Sequence, residues 1–311
     1  MELGIFTRVF QEKNLEETFE LITQKYSIRN VELTANKGSR HINLSDPDID
    51  YLVKMVDKYN VKITALSMHR DTQLIMGPHG KATKHFFDGS MDEQIEYGIK
   101  ITKKAAEIAK ELNIPMVIGN LGAINFSELF EWPNKNGWKE QQEIAKERWY
   151  PILEYYEKKG IKFAHELGPQ QIAYNLETAE EILEKLDFID SLGFCIDPSQ
   201  LLYTGVDTSV CIERLNKRVF NFHAKDGEFT QHLKTSGWLP HGDINRLNRG
   251  YRNRIPGWGS SDWRKIMTSL KIIKYSGPIS IEIEDPFVDA DEALNKTIEY
   301  LRPLLFKGDI R

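Results

Sequence analysis

Four short apolar runs in this sequence each end in a side chain that can ligate a metal or move a proton, and each then breaks. They are Lys162-Phe163-Ala164-His165-Glu166, Phe194-Cys195-Ile196-Asp197, Phe220-Asn221-Phe222-His223 and Ile279-Ser280-Ile281-Glu282. The breaks are Leu167-Gly168-Pro169, Pro198-Ser199, Ala224-Lys225-Asp226-Gly227 and, two residues past Glu282, Asp285-Pro286. Glu166, Asp197, His223 and Glu282 form a hard, anionic donor set around an open position, suited to a divalent cation such as Mn²⁺, Co²⁺ or Mg²⁺. Strand alternation gives the four runs one phase. If the terminal residues point one way, so do Ala164, Cys195, Asn221 and Ser280, which are small or polar. Phe163, Phe194, Ile196, Phe222, Ile281 and Ile283 then lie on the opposite, buried face. Glu284 shares the face of Glu282 and competes with it; Glu282 lies deeper in its strand and is the preferred ligand, leaving Glu284 and Asp285 to support it at the rim.

Strand ends from distant parts of a chain meet at one place when parallel strands alternate with helices and close into a barrel. The rest of the sequence has that rhythm. Strands are expected at Leu3–Thr7, Asn30–Thr34, Lys62–Met68 and Met116–Gly119 before the four above. Helices are expected near Leu15–Lys25, Pro47–Tyr59, Met91–Leu112, Lys139–Lys159, Leu176–Leu186, Val206–Leu215, Asp262–Ile272 and Asp289–Leu304. Ile95, Ile99, Thr102, Ala106, Ala109 and Leu112 recur at helical spacing, and Ser90 with Glu93 forms a capping box ahead of them. Eight strand–helix units over residues 1–311 predict a single (β/α)₈ barrel domain. A doubly wound open sheet seldom needs eight regular units, and the first βα turn lacks a dinucleotide-type glycine signature. Two long connections, near 70–90 and 227–261, leave the face that carries the four ligand residues and are expected to shape a substrate pocket.

Further side chains belong to that face. His69 ends the third strand and is a candidate substrate contact. Lys225 follows the ligand His and would bring an ammonium to substrate oxygens. Asp226 is expected to hold the loop or the His ring in place. His165 should point away from the lumen by alternation. In the seventh loop Arg246, Arg249, Arg252 and Arg254 offer guanidinium groups for a phosphate or carboxylate; Arg254, closest to Pro256-Gly257-Trp258-Gly259, is the preferred substrate contact. Trp258 would supply an apolar wall for a sugar. Gly257 and Gly259 are read as permitting a tight turn. Cys195, with no base beside it, is a small lumen residue and not a nucleophile.

Composition narrows the class. Lys and Arg total 41 against 46 Asp and Glu, a net charge of −5 over 311 residues, so nothing attracts a nucleic acid in general. Hydrophobic residues make up 41% and charged residues 28%, enough for a large core and a well-charged surface. Two cysteines, Cys195 and Cys211, fall outside any C-x-x-C pair and give no disulfide framework or thiolate zinc site. Met1-Glu2-Leu3-Gly4-Ile5 enters a strand without a basic and apolar leader, and no run is long enough for a membrane span. The expectation is a cytoplasmic protein without a membrane partner; the number of aromatic residues leaves room for a homo-oligomer.

The segments Gly193-Phe-Cys-Ile-Asp-Pro-Ser199, His223-Ala-Lys-Asp226, Pro256-Gly-Trp-Gly-Ser-Ser-Asp-Trp263, Ile281-Glu-Ile-Glu-Asp-Pro286 and Gln73-Leu-Ile-Met-Gly-Pro-His-Gly80 together resemble the xylose isomerase-like barrel superfamily, in its sugar phosphate isomerase/epimerase branch. The resemblance runs over most of the chain. It implies one divalent ion, Mn²⁺ first and Co²⁺, Mg²⁺ or Zn²⁺ as alternatives, held by Glu166, Asp197, His223 and Glu282. It implies a small carbohydrate substrate, with Glu166 and Glu282 doubling as acid and base. Relatives often carry His where this chain has Gln200, which can hydrogen-bond a sugar hydroxyl but cannot shuttle a proton. The leading functional expectation is a metal-dependent carbohydrate isomerase or epimerase acting next to a carbonyl. A lyase or dehydratase on a keto-sugar or keto-glycoside is the alternative, followed by a sugar-binding barrel without catalysis. A nuclease of the related apurinic-site type would need more ligating His residues than the sequence spaces appropriately.

Overall fold

The computed structural model describes residues 1–237, 241–243 and 246–308. Among the described residues ten strands are formed: β1 Glu2–Phe6, β2 Asn30–Thr34, β3 Lys62–Ser67, β4 Met116–Gly119, β5 Lys162–Glu166, β6 Leu192–Ile196, β7 Val219–Ala224, β8 Asp226–Phe229, β9 Tyr251–Arg254 and β10 Pro278–Ile281. Eight of them close a parallel barrel in the order β1-β10-β7-β6-β5-β4-β3-β2, and β8 with β9 forms a separate antiparallel ribbon. The expected strands are all present, within about two residues at their ends. First and last strands seal the barrel through Leu3 opposite Ile279 and Gly4 opposite Ser280.

The alternation read from the sequence sorts the side chains as expected. Ala65, Ile118, Ala164 and Cys195 form a small cluster inside the barrel, separate from the main core. Phe163, Phe194, Ile196, Phe222 and Ile281 face the helices. Trp149, on the helix Gly137–Lys159, packs its ring 4.9 Å from that of Phe163, and both are fully buried. Truncating either to Ala removes about 3–5 kcal/mol of stability at such a site. The helix Met91–Glu111 begins with the capping box of Ser90 and Glu93.

Two expectations change. The helix expected over Leu15–Lys25 is α-helical only to Glu20 and continues as a π-helical turn, Leu21–Lys25. The long seventh connection is no open loop: Asp226–Phe229 pairs with Tyr251–Arg254, with Asp226 opposite Arg254. Both ribbon strands are short and polar and lie far apart in sequence, so neither apolar alternation nor a tight-turn signature announces them. A short helix, Pro198–Tyr203, follows Asp197 directly, with Asp197 itself as N-cap. In the third connection, the helix His69–Gln73 leads into Leu74, Ile75 and Met76, which are fully buried. Part of this segment therefore belongs to the core as well as to the mouth.

Candidate metal centre at the barrel mouth

The C-terminal ends of β5, β6, β7 and β10 bring Glu166, Asp197, His223 and Glu282 together, with one potential ligand atom from each lying within 4.8 Å of the others. Asp197 and His223 are fully buried and Glu282 nearly so. His223 Nδ1 lies 2.9 Å from Glu166 Oε1 and 3.2 Å from Glu282 Oε2. The Phe6 ring stacks on the His223 ring at 5.5 Å, limiting its rotation.

Lys225 stands two residues beyond His223 on the same strand phase, and its side chain is buried. Its ammonium lies 2.9 Å from Asp197 Oδ2, 2.9 Å from Glu282 Oε2 and 3.1 Å from Glu284 Oε2. Arg8, in the 3-10 turn Thr7–Phe10 that follows β1, reaches Glu284 Oε1 at 2.9 Å and Glu282 Oε1 at 3.5 Å. His69 Nε2 is 3.1 Å from Glu166 Oε2. Of the expected substrate contacts, His69 and Lys225 thus lie directly beside the proposed acid/base carboxylates.

One member of this assembly is absent from the sequence reading. Glu32, on β2, is buried in the lumen beneath His223. Its Oε1 accepts hydrogen bonds from His223 Nε2 at 2.9 Å and Ser67 Oγ at 2.5 Å. Its Oε2 accepts from Ser280 Oγ at 2.7 Å and Asn221 Nδ2 at 3.1 Å. A carboxylate on one imidazole nitrogen fixes the ring and directs the other nitrogen towards a ligand position. Here Glu32 holds Nε2, so Nδ1 faces the carboxylates.

Burial works against every charge in this cluster, and the partners decide the outcome. Burial pushes the Glu166 carboxyl upward, but His223 and His69 hold it well below the ordinary range. Burial likewise raises Glu32, and His223 with the two serine hydroxyls overcomes it. Glu282 is held low by Lys225 and His223 against burial. Asp197 goes the other way. Burial, with Glu166 and Glu282 nearby, lifts it to about 7 despite Lys225. Its Oδ2 makes no well-formed hydrogen bond, although Lys225 is close. An under-satisfied buried carboxylate oxygen among two further carboxylates and an imidazole fits a divalent cation in chemistry and in charge.

The remaining expected residues lie around this cage. Asp226 accepts from the backbone of Gly227 at 2.8 Å, Ser261 at 3.1 Å and Gly257 at 3.2 Å, and from Trp263 Nε1 at 2.8 Å. It pins the loop and does not hold the His ring. Gly259 packs so tightly on Asp226 that a Cβ there would collide with the carboxylate, which explains the glycine. Arg254 donates to Asp285 at 2.9 Å and Glu228 at 2.8 Å. Arg252 donates to the same Glu228 at 2.5 Å. Trp258 is half-exposed, with the Lys296 ammonium 4.5 Å from its ring centroid. Gln200 is half-buried against Gly168. His165 points outward, 2.8 Å from the Ala173 carbonyl, as alternation requires. Burial pushes the Cys195 thiol up to about 12, in keeping with an inert lumen residue.

The family described as xylose isomerase-like TIM barrel matches residues 22–304, nearly the whole of this barrel including all four cage residues. The chain belongs to that family. Among curated relatives of this xylose isomerase-like chain is the uncharacterized protein YfiH of Bacillus subtilis strain 168, 25% identical over 166 residues. The match spans about half of each protein, 52% of this chain and 52% of YfiH. Among solved structures, 3-keto-D-glucoside 4-epimerase YcjR from E. coli superposes with a TM-score of 0.70 at 13% identity, covering 97% of this chain and 99% of that one. The probable 3-DHS dehydratase AsbF from Bacillus anthracis gives 0.69 at 14% identity, covering 97% and 99%. At such identities the superpositions speak for the fold alone. No helix among the described residues is long and apolar enough to cross a membrane.

Proposed function

We propose that this protein is a divalent-metal-dependent carbohydrate isomerase or epimerase that removes a proton next to a carbonyl, with Glu166 and Glu282 as the acid/base pair. The observation that carries this reading is the buried cage of Glu166, Asp197, His223 and Glu282 at the mouth of the barrel. A bound divalent cation would polarise the sugar carbonyl and stabilise the negative charge that grows on it during proton removal. The chain's own groups do the rest. One carboxylate takes the proton from the carbon next to the carbonyl. The other, entering as the carboxylic acid, returns a proton from the opposite face, which inverts the centre; return to the neighbouring carbon isomerises the sugar instead. His223 with His69 beside Glu166, and Lys225 with His223 beside Glu282, favour the ionised, base-competent form of each carboxyl against burial, and the member of the pair that acts as acid must first take up a proton.

A second reading is elimination from a keto-sugar. In it the second member of the Glu166/Glu282 pair, once protonated, would protonate the departing hydroxyl or alkoxide. Both readings start with the same proton removal.

The test is deuterium uptake. Protein loaded with Mn²⁺ is incubated in D₂O with ketoses, aldoses and 3-keto glycosides, and label and products are followed by NMR. Metal-dependent uptake is expected, reduced at least about 10²-fold in Glu282→Gln. Isomerised or epimerised sugar supports the first reading and an unsaturated product the second. Absence of metal-dependent uptake across the panel would refute both.

A further inference from the structure

A cavity of about 270 Å³ opens at the barrel mouth between the ends of β1, β2 and β3. One end touches the cage through His69 and Arg8, which contact Glu166, Glu282 and Glu284. The other end is lined by Lys37, Arg40 and Arg70. Arg8 is paired with Glu282 and Glu284, so the wall's remaining positive charges are Lys37, Arg40 and Arg70, against one carboxylate, Glu12.

These cations differ from those expected to bind an anion. Across the mouth, Arg252 and Arg254 are spent on Glu228 and Asp285. Among the described residues, no carboxylate forms an ion pair with Lys37, Arg40 or Arg70. Arg40 donates to the Glu12 carbonyl at 2.7 Å. The Lys37 ammonium lies 4.4 Å from the Phe87 ring centroid, and the Arg70 guanidinium 5.8 Å from that of Phe86. The backbone beneath them is fixed. The buried Asp71 accepts from the Lys37 N–H at 2.8 Å, and the Asn36 side chain accepts from the Arg70 N–H at 2.9 Å. Ser39 Oγ ties the same turn to the Thr34 carbonyl at 2.8 Å. Two long cations on a pre-set turn and a third on the adjoining helix His69–Gln73, beside the cage and facing one cavity, suit an oxyanion.

We propose that the sugar handled here carries an oxyanion, a phosphoester or a carboxylate, seated by Lys37, Arg40 and Arg70 away from the reacting carbon. This rests on the proposed reading of the cage as the reaction centre. Binding energy taken from such a remote group positions the carbonyl and its neighbouring C–H between Glu166 and Glu282.

The probes are fructose 6-phosphate, glucuronate and fructose, titrated calorimetrically into Co²⁺-loaded protein at low and high salt. Either or both anionic sugars are expected to bind about ten- to a hundredfold more tightly than fructose, the weight of one or two charge-assisted hydrogen bonds at a half-open site. Which one does so separates phosphoester from carboxylate. The preference is expected to shrink with salt and to disappear in K37Q/R40Q/R70Q, whose Co²⁺ spectrum and melting curve report whether cage and fold persist. Should the triple variant melt early, each single variant is expected to lose part of the preference. Equal binding of anionic and uncharged sugars, or a preference that survives the substitutions, overturns the proposal. Its failure is distinguishable from that of the reaction reading: preference without deuterium uptake from any sugar keeps the receptor and refutes the chemistry, and uptake without preference does the reverse.

Discussion

Replacing Glu32 by Gln removes one buried negative charge and almost nothing else. The carboxylate accepts four hydrogen bonds, from His223, Ser67, Ser280 and Asn221. In Glu32→Gln the amide oxygen keeps His223 and Ser67. The amide nitrogen then faces Ser280, whose hydroxyl can turn to accept, and Asn221, whose Oδ1 is buried without a partner. A flip of Asn221 satisfies both amides, so stability is expected to change by no more than about 1 kcal/mol. What is lost is the carboxylate that fixes the His223 ring and makes Nδ1 a better donor. Substitutions of this kind lower metal affinity about 10–100-fold, or about 1.4–2.8 kcal/mol. Co²⁺ titration followed in the visible spectrum, with Mn²⁺ competition and a melting curve, reads both effects. By contrast, Glu32→Ala strands four donors at about 1–3 kcal/mol each and should fold poorly. Wild-type affinity and an unchanged Co²⁺ spectrum in Glu32→Gln would refute the role assigned to Glu32.

Two further perturbations probe charge balance. Lys225→Met leaves Asp197 and Glu282 without their shared cation, so the metal-free protein should lose about 3–5 kcal/mol and saturating Mn²⁺ should restore part of it; coincident metal-free melts of variant and wild type would count against this. Burial raises the Asp71 carboxyl from 3.8 to about 6, against the pull of the Lys37 N–H. The native state therefore holds the proton where the unfolded chain has released it, and this group makes stability fall as pH rises between those two values. Asp71→Asn removes that slope, so urea melts at pH 4 and pH 7 should show the variant gaining up to about 3 kcal/mol relative to wild type at the higher pH.

The cage was legible because its four residues share one structural context, the last inward position of a strand before a break. Glu32 has a different context. In Asn30-Val31-Glu32-Leu33-Thr34 it alternates with two apolar residues, the pattern of a strand with one wet face. Only closure through β1 and β10 puts that face inside, and closure is a property of eight strands together. Lys225 had the right phase all along, two residues after His223, but its following position after the strand made a solvated loop equally reasonable. The seventh connection hid its ribbon because pairing between Asp226–Phe229 and Tyr251–Arg254 spans a long polar insertion with no local signature. The arginines there looked available for an anion because nothing in the sequence reveals that Glu228 and Asp285 would take them.

The seam between β1 and β10 also orders events in the life of the chain. Translation delivers Glu166, Asp197 and His223 well before Glu282, which sits just beyond the last barrel strand. Until that strand emerges and docks against Leu3 and Gly4, the nascent protein holds three donors on an open, unsealed sheet. The complete cage therefore comes into being only with barrel closure, and a metal taken up by all four residues would mark a barrel whose first and last strands have joined.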